Sequence, residues 1–172
     1  MKKLLHAGCG GSPLPGWFGD QYAETRLDID PDFKPDIVAS LTDMRAIEDG
    51  AFDIVYTSHC VEHLYPAEVG TALAEFRRVT APGGAVIVIV PDLEGVQVSD
   101  EPLLDAGVGT LSGLDLIYGC RYDAHRSQFM AHHSGFTSGL LARAMRDAGF
   151  EDVTMKRLPE YNLMGVARVP SA

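Results

Sequence analysis

The stretch Lys2–Ser12 reads KKLLHAGCGGS, a short apolar run that breaks into a cluster of glycines. Glycine permits positive φ and lacks the Cβ that would keep a ligand away from the backbone. In an open α/β sheet, a glycine turn at the carboxyl end of a parallel strand is the usual place for a nucleotide-like ligand. Residues 8–11 also fit an ordinary tight turn. Taken alone, this stretch leaves both interpretations open.

An acidic residue strengthens the ligand interpretation. Asp28 ends a second apolar run, twenty residues after Gly8. An acid about 20 residues past such a turn accepts hydrogen bonds from ribose hydroxyls. Asp30 is the alternative for this role. The turn reads GxGG, not the GxGxxG of dinucleotide sites, and this difference favours a nucleoside without a pyrophosphate.

Composition restricts the class of protein. The chain has 172 residues, 46% of them hydrophobic, and a net charge of −10, so we expect a single domain over 1–172. The negative charge argues against nucleic acid as the main partner, because a phosphate backbone requires clustered Lys and Arg. Cys9, Cys60 and Cys120 have no metal-ligand spacing and indicate a reducing, cytoplasmic chain. The longest apolar run is too short to span a membrane.

Hydrophobic patterns predict an α/β fold. A helix should begin at Pro66 and stop before Pro82, and the continuously apolar run Ala85–Val90 should be a central parallel strand. A short helix over Trp17–Ala23 is a weaker expectation. The last two strands, Val153–Leu158 and Leu163–Val169, should form an antiparallel hairpin. With four earlier strands, the pattern predicts a mostly parallel seven-stranded sheet.

Residues 92–136 have no long periodic pattern and are rich in Gly, Asp and His. A segment of this length inside a compact domain is usually functional. We predict that it is a substrate lid or insertion that covers the ligand edge of the sheet. The alternative is a fixed insertion packed on the sheet.

Histidines cluster in two places. Residues 59–63 read HCVEH, which matches the inverted zinc-peptidase motif when both histidines lie on one helix. Here the motif directly follows a predicted strand, and this context disfavours a zinc hydrolase. A second group could form a metal or proton-transfer cluster at the mouth of the pocket, or could simply bind backbone groups; its members are Asp92, His125, His132 and His133.

Five segments together carry a family resemblance: LLHAGCGG, RLDIDP, GAFDIVYTSHCVEHL, EFRRVTAPGGAVIVIVPDLEG and HHSGFTSGLLARAMRDAGF. In this order they resemble the small bacterial "type 11" group of class I S-adenosylmethionine-dependent methyltransferases. The resemblance covers nearly the whole chain and implies a Rossmann-like three-layer sandwich. Three positions depart from the family pattern. His6 and Ser40 stand where acids are usual, and Ser12 replaces a third glycine.

The resemblance implies S-adenosyl-L-methionine as the cofactor and a small-molecule acceptor methylated on O or N. The implied cofactor-binding residues are His6, Gly8, Cys9, Gly10, Asp28, Ile29, Ser40, Leu41, Ser58 and His59. The implied catalytic residues are His63 and His133, and no metal is expected. The alternative function is a cofactor-binding, non-catalytic partner subunit. Because little chain precedes the first strand, a second copy of the chain or a partner is expected to cover that side.

Overall fold

The computed structural model describes residues 1–106, 109–120 and 128–171, without the side chain of Gln128. Its centre is a seven-stranded sheet in the order β3-β2-β1-β4-β5-β9-β8. Strands β1 to β5 run parallel, and β9 pairs antiparallel with both β5 and β8. The strands are β1 (Lys2–Ala7), β2 (Tyr22–Asp28), β3 (Ile37–Val38), β4 (Phe52–Ser58), β5 (Thr80–Pro91), β6 (Pro102–Ala106), β7 (Gly109–Ser112), β8 (Glu151–Leu158) and β9 (Asn162–Arg168).

The central strands are buried on both faces, as their continuous apolar runs require. In β5, Val86, Val88 and Val90 enter the larger core, while Ile87 and Ile89 enter a smaller core on the opposite face. Successive side chains of a strand point to opposite faces, so a run without polar residues indicates cover on both sides. The predicted mostly parallel sheet with a C-terminal hairpin is confirmed.

Two helices cover the face that carries the larger core. Helix α1 (Pro66–Val79) begins with proline, as predicted, and its N-terminus is closed by Glu68, whose Oε2 accepts the Tyr65 N–H at 2.9 Å. The third helix, α3 (Ser138–Asp147), is capped by Thr137 Oγ1, which accepts the Leu140 N–H at 3.4 Å. Both helices contact the sheet and each other. The two helices therefore form the layer that covers this face of the sheet.

The first crossover differs from the sequence prediction. The expected helix over Trp17–Ala23 is a 3₁₀ turn, Gly16–Gln21, and β2 begins at once with Tyr22. Phe18 is buried in this turn and packs edge-on against Tyr56 with ring centroids 5.3 Å apart. Nearby prolines restrict helix formation here. The connection between β1 and β2 is therefore a short turn, and its Phe18 side chain packs into the smaller core.

The described parts of segment 92–136 contain regular structure that periodicity did not predict. Strands β6 and β7 form a small antiparallel hairpin apart from the main sheet, followed by the short helix α2 (Gly113–Tyr118) and a 3₁₀ turn at Gln128–Met130. The lid function of this segment stays a prediction. His125 lies outside the described residues. Within the described ranges, no helix is both long enough and apolar enough to cross a membrane.

Candidate functional site

The glycine turn closes over the end of β2. The backbone N–H groups of Gly8 and Cys9 both donate to Leu27 O, at 2.8 and 3.0 Å. Gly8 has φ of 69°, and a Cβ at this position would overlap Cys60 Sγ. Only glycine meets both demands without strain. The turn therefore brings bare backbone to the carboxyl edge of the sheet.

Asp28 fastens the turn to the next strand. Its Oδ2 accepts the Gly10 N–H at 2.7 Å, and its Oδ1 accepts the Asp30 N–H at 2.9 Å. The residue is only 8% exposed. A carboxylate offers about four acceptor sites, so two remain for a ligand. That number equals the two hydroxyls of a ribose, which is the role predicted for Asp28.

Arg26 is a part of the turn that the sequence analysis did not identify. Its Nη2 donates to Gly10 O at 2.8 Å and its Nη1 donates to Ser12 O at 2.9 Å. Arg26 and Asp28 stand two positions apart on one strand and therefore share a face. This spacing was the available signal. Together the two side chains hold both the N–H and the C=O of Gly10.

His6 is buried at the end of β1 beside the turn. Its Nδ1 lies 2.8 Å from Glu24 Oε1, and its ring lies 5.2 Å from the Tyr56 ring. Burial lowers the pKa of His6 and outweighs the opposing effect of the Glu24 carboxylate. The imidazole is therefore mainly neutral near pH 7. The family pattern, in contrast, has an acidic residue at this position. Cofactor binding by His6 stays a prediction.

Three further residues implied as cofactor-binding follow β2 and β3. Ala39 N–H donates to Asp28 O at 3.0 Å, which places the end of β3 beside Asp28. Ser40 Oγ lies 2.8 Å from Thr42 Oγ1, while the Leu41 side chain is buried in the larger core and Ile29 is exposed. Ser40, Leu41 and Ile29 thus share the edge predicted for the cofactor. Their contacts with it stay predictions.

The end of β4 brings a second group to the same edge. Ser58 is the last residue of β4, and His59 follows it with φ of 53° and its N–H bonded to Ile89 O at 2.9 Å. Cys60 Sγ donates to Gly8 O at 3.0 Å. Burial raises the pKa of the Cys60 thiol, so the group stays protonated and can donate. Cys60 thereby joins the histidine-containing turn to the glycine turn.

The HCVEH motif does not adopt the helix that a zinc peptidase requires. A three-residue 3₁₀ turn spans Val61–His63, and His59 precedes it with positive φ. Glu62 is only 1% exposed, and His59 Nδ1 lies 3.3 Å from its Oε1. Burial opposes charge on both groups. Their mutual attraction outweighs it, so the pKa of His59 is raised and that of Glu62 is lowered.

Of the two adjacent histidines, the structure brings His132 to the cluster. The His132 ring lies 4.8 Å from the His63 ring, centroid to centroid. The His133 ring instead stacks on Tyr65 at 4.2 Å, and its N–H donates to Glu62 O at 2.9 Å. Asp92, expected near these histidines, pairs with Arg157 Nε at 2.9 Å. The catalytic role of His133 stays a prediction, with its ring facing Tyr65.

A cavity of about 250 Å³ lies over this group. Its polar lining includes His59, Glu62, His63 and His132, together with Asp115, Glu160 and Asn162. Its apolar side comes mainly from segment 92–136, with Leu104, Ala106 and Leu111 of the hairpin and Leu116 of α2. A mostly apolar cavity with a few convergent polar groups is the usual form of a small-molecule site.

Residues 5–88 match the profile of the family Methyltransf_11, described as a methyltransferase domain. The matched range contains the glycine turn, Asp28 and the histidine-containing turn after β4. This match, together with the shared fold of the solved methyltransferases described below, supports a class I S-adenosylmethionine-dependent methyltransferase. The family resemblance predicted from the sequence is confirmed, and so is S-adenosylmethionine as the cofactor. No curated protein matches this chain by sequence.

Solved structures share its fold at low sequence identity. One is the 1,6-didemethyltoxoflavin-N1-methyltransferase of Burkholderia thailandensis with S-adenosylhomocysteine bound, with 20% identity, TM-score 0.63, and 99% of this chain aligned to 72% of that one. An O-methyltransferase family protein of the same organism has 16% identity and TM-score 0.65, with 99% of this chain aligned to 52% of its length.

A third neighbour is an S-adenosylmethionine-dependent methyltransferase from Mesorhizobium loti. It has 17% identity and TM-score 0.64, with 97% of this chain aligned to 90% of that chain. This chain thus spans between about half and nine-tenths of these neighbours' lengths. At such identities the likeness establishes the fold.

Proposed function

We propose that this protein transfers the methyl group of S-adenosylmethionine to an oxygen or nitrogen atom of a small molecule. The acceptor atom attacks the methyl carbon, the carbon–sulfur bond breaks, and its electron pair stays on sulfur to give S-adenosylhomocysteine. The observation that carries the proposal is the contact between the glycine turn and the histidine-containing turn that lines the cavity. Cys60 bonds to the Gly8 carbonyl, and the next residues along the chain line the cavity.

The cavity suits a small acceptor in size and in lining. At about 250 Å³ it lies slightly below the usual range of small-molecule sites, about 300–1,000 Å³. Its imidazoles supply polar contacts on the side that leads to the glycine turn. Positioning the acceptor in line with the methyl group supplies much of the rate, because the sulfonium is already an activated donor. Among the predicted catalytic residues, His63 lines this cavity.

His63 has a defined tautomer when neutral. Its Nδ1 lies 3.1 Å from Ala131 O, which can only accept, so Nδ1 carries the proton. The lone pair is then on Nε2, the atom that could bind a proton of the acceptor group. The structural neighbours do not distinguish between oxygen and nitrogen as the acceptor atom, because one is named for N1 methylation and another as an O-methyltransferase. One fold serves different acceptors through its site.

Two measurements test the proposal. Calorimetry should detect S-adenosylmethionine and S-adenosylhomocysteine binding with a Kd on the order of micromolar, about −8 kcal/mol. Methyl-labelled cofactor should then transfer label to small molecules of a cell extract, and mass spectrometry of the labelled fraction identifies the acceptor. Labelled macromolecules with unlabelled small molecules would contradict the proposed acceptor class.

The same measurements separate the enzyme from a non-catalytic partner subunit. Cofactor binding without label transfer, in the presence of extract, would favour the partner subunit. No heat and no thermal shift at millimolar cofactor would contradict both functions. The Asp28→Ala variant serves as the control, because it should lose binding and transfer together.

A further inference from the structure

We propose that Glu62, His63 and His132 form a site for one divalent transition-metal ion, of the Zn²⁺, Mn²⁺ and Co²⁺ class, at the floor of the acceptor cavity. One ligand atom from each residue lies within 4.8 Å of the others. Two imidazoles and one carboxylate are an established ligand set for zinc and for other divalent metals with open coordination positions. The sequence analysis considered a metal or proton-transfer cluster of Asp92 with three histidines and expected no metal, whereas the structure groups His132 with Glu62 and His63.

The two imidazoles are oriented as metal ligands require. His63 Nδ1 faces Ala131 O at 3.1 Å, and His132 Nδ1 faces Leu116 O at 3.0 Å. A carbonyl oxygen only accepts, so each neutral ring carries its proton on Nδ1 and leaves Nε2 bare. A metal-binding histidine commonly donates its other N–H to a backbone carbonyl, which fixes the ring. In both rings the unprotonated nitrogen available to a metal ion is therefore Nε2.

Glu62 supplies the charge that the ion would neutralise. Both of its carboxylate oxygens are buried and have no hydrogen-bond partner among the residues that the structure describes. Buried carboxylates are normally hydrogen-bonded, paired or bound to metal, because desolvating an isolated charge is costly. Its ion-pair partner is His59, whose Nδ1 stands 3.3 Å from Oε1 without forming a hydrogen bond. His59 is half exposed, so it only partly covers the carboxylate.

Binding requires a contraction of the group. Ligands at about 2.1 Å from one tetrahedral ion lie about 3.4 Å from one another, less than the observed limit of 4.8 Å. The Glu62 carboxylate can supply part of the movement by rotation, because no hydrogen bond to a described residue restrains it.

Three protein ligands leave coordination positions that open toward the cavity. In the proposed function, these positions would hold a hydroxyl oxygen of the acceptor, and this use of the ion rests on that function. The bound hydroxyl releases its proton to solvent, the oxygen forms a bond to the methyl carbon, and the sulfur keeps the electron pair of the broken bond. The metal lowers the pKa of the bound hydroxyl. The acceptor class is therefore small molecules with hydroxyl groups.

The competing explanation is a purely protein-based cluster, in which His59 alone balances Glu62 and the other two rings only bind backbone. The test uses untagged protein freed of metal by a chelator, without cofactor or acceptor. Co²⁺ is titrated while its visible absorption is recorded, followed by competition with Zn²⁺. We expect one ion per chain. His132→Gln and Glu62→Gln should each weaken Co²⁺ binding more than about 100-fold, exceeding the loss typical of outer-sphere changes.

His133→Gln is the matched control, since it removes a neighbouring imidazole that stacks on Tyr65 outside the group. It should leave the Co²⁺ dissociation constant within about threefold. Circular dichroism and S-adenosylhomocysteine binding check folding. If the Glu62→Gln variant does not fold, the result for His132→Gln alone provides the test. Absence of Co²⁺ uptake by the wild type, equal losses in the His132 and His133 variants, or thiolate charge-transfer bands would overturn the assignment.

Metal binding and methyl transfer fail independently in this design. Wild-type protein that binds S-adenosylhomocysteine but no metal contradicts the metal site and leaves the proposed function standing. Protein that binds Co²⁺ through the three residues but no cofactor contradicts the proposed function alone.

Discussion

Replacing Asp28 by alanine tests the cofactor site most directly. The side chain accepts two backbone N–H groups, from Gly10 at 2.7 Å and from Asp30 at 2.9 Å. If it also accepts the two ribose hydroxyls, all of its roughly four acceptor sites are used. Alanine then removes the ribose contacts and releases the turn that approaches the cofactor. Binding should suffer on both counts.

The magnitude follows from the kind of bond lost. A hydrogen bond to a charged group contributes about 1.5–3 kcal/mol. Two ribose bonds, partly replaced by water in the variant, give a net loss of roughly 2–4 kcal/mol. That loss raises the Kd about 30- to 700-fold. Folding should weaken as well, by about 2 kcal/mol, because the N–H groups of Gly10 and Asp30 lose a buried acceptor.

Asp30→Ala is the matched control. Asp30 Oδ1 accepts the Asp32 N–H at 2.9 Å and caps a short 3₁₀ turn. Its loss should cost about 1 kcal/mol of folding stability and leave cofactor affinity nearly unchanged. Calorimetric titration with S-adenosylhomocysteine, at a temperature where both variants are folded, gives the two Kd values. Equal losses would refute the assignment of the ribose to Asp28.

Three further predictions concern the turn, its histidine and the hairpin segment. Gly8→Ala should lower the free energy of unfolding by about 2–4 kcal/mol, because its Cβ would overlap Cys60 Sγ. Gly10→Ala, where no atom is near, should cost only the backbone strain of about 1–2 kcal/mol; equal urea midpoints for the two variants would contradict this. The buried His6 has its pKa lowered from 6.5, so the unfolded chain takes up the proton first and stability should fall as pH drops below that value. His6→Asn should flatten this fall between about pH 7.5 and about pH 5.5, and an unchanged slope would refute it. Amides of β6, β7 and α2 should exchange faster with solvent than those of β5 in the free protein and slow when product and acceptor bind, whereas protection equal to β5 without ligand would indicate a fixed insertion.

Some features were predictable because neighbouring residues alone produce them. A proline at position 66 followed by apolar residues at helical spacing can only begin an amphipathic helix, and α1 begins there. The continuous run Ala85–Val90 lies inside β5, covered on both faces. By contrast, strand β6 shows no alternating pattern in the sequence, because the apolar Leu103 is exposed next to Leu104, which lines the cavity.

The sequence by itself determined the glycine turn, the acid that faces it, and the class of fold. Each depends on backbone freedom, strand periodicity or a fixed spacing along the chain. Only the tertiary structure decided which of two adjacent histidines joins Glu62 and His63. His133 N–H bonds to Glu62 O and its ring stacks on Tyr65, so the ring of His132 turns to the cluster. That choice rests on contacts between residues about seventy positions apart, which no local pattern encodes.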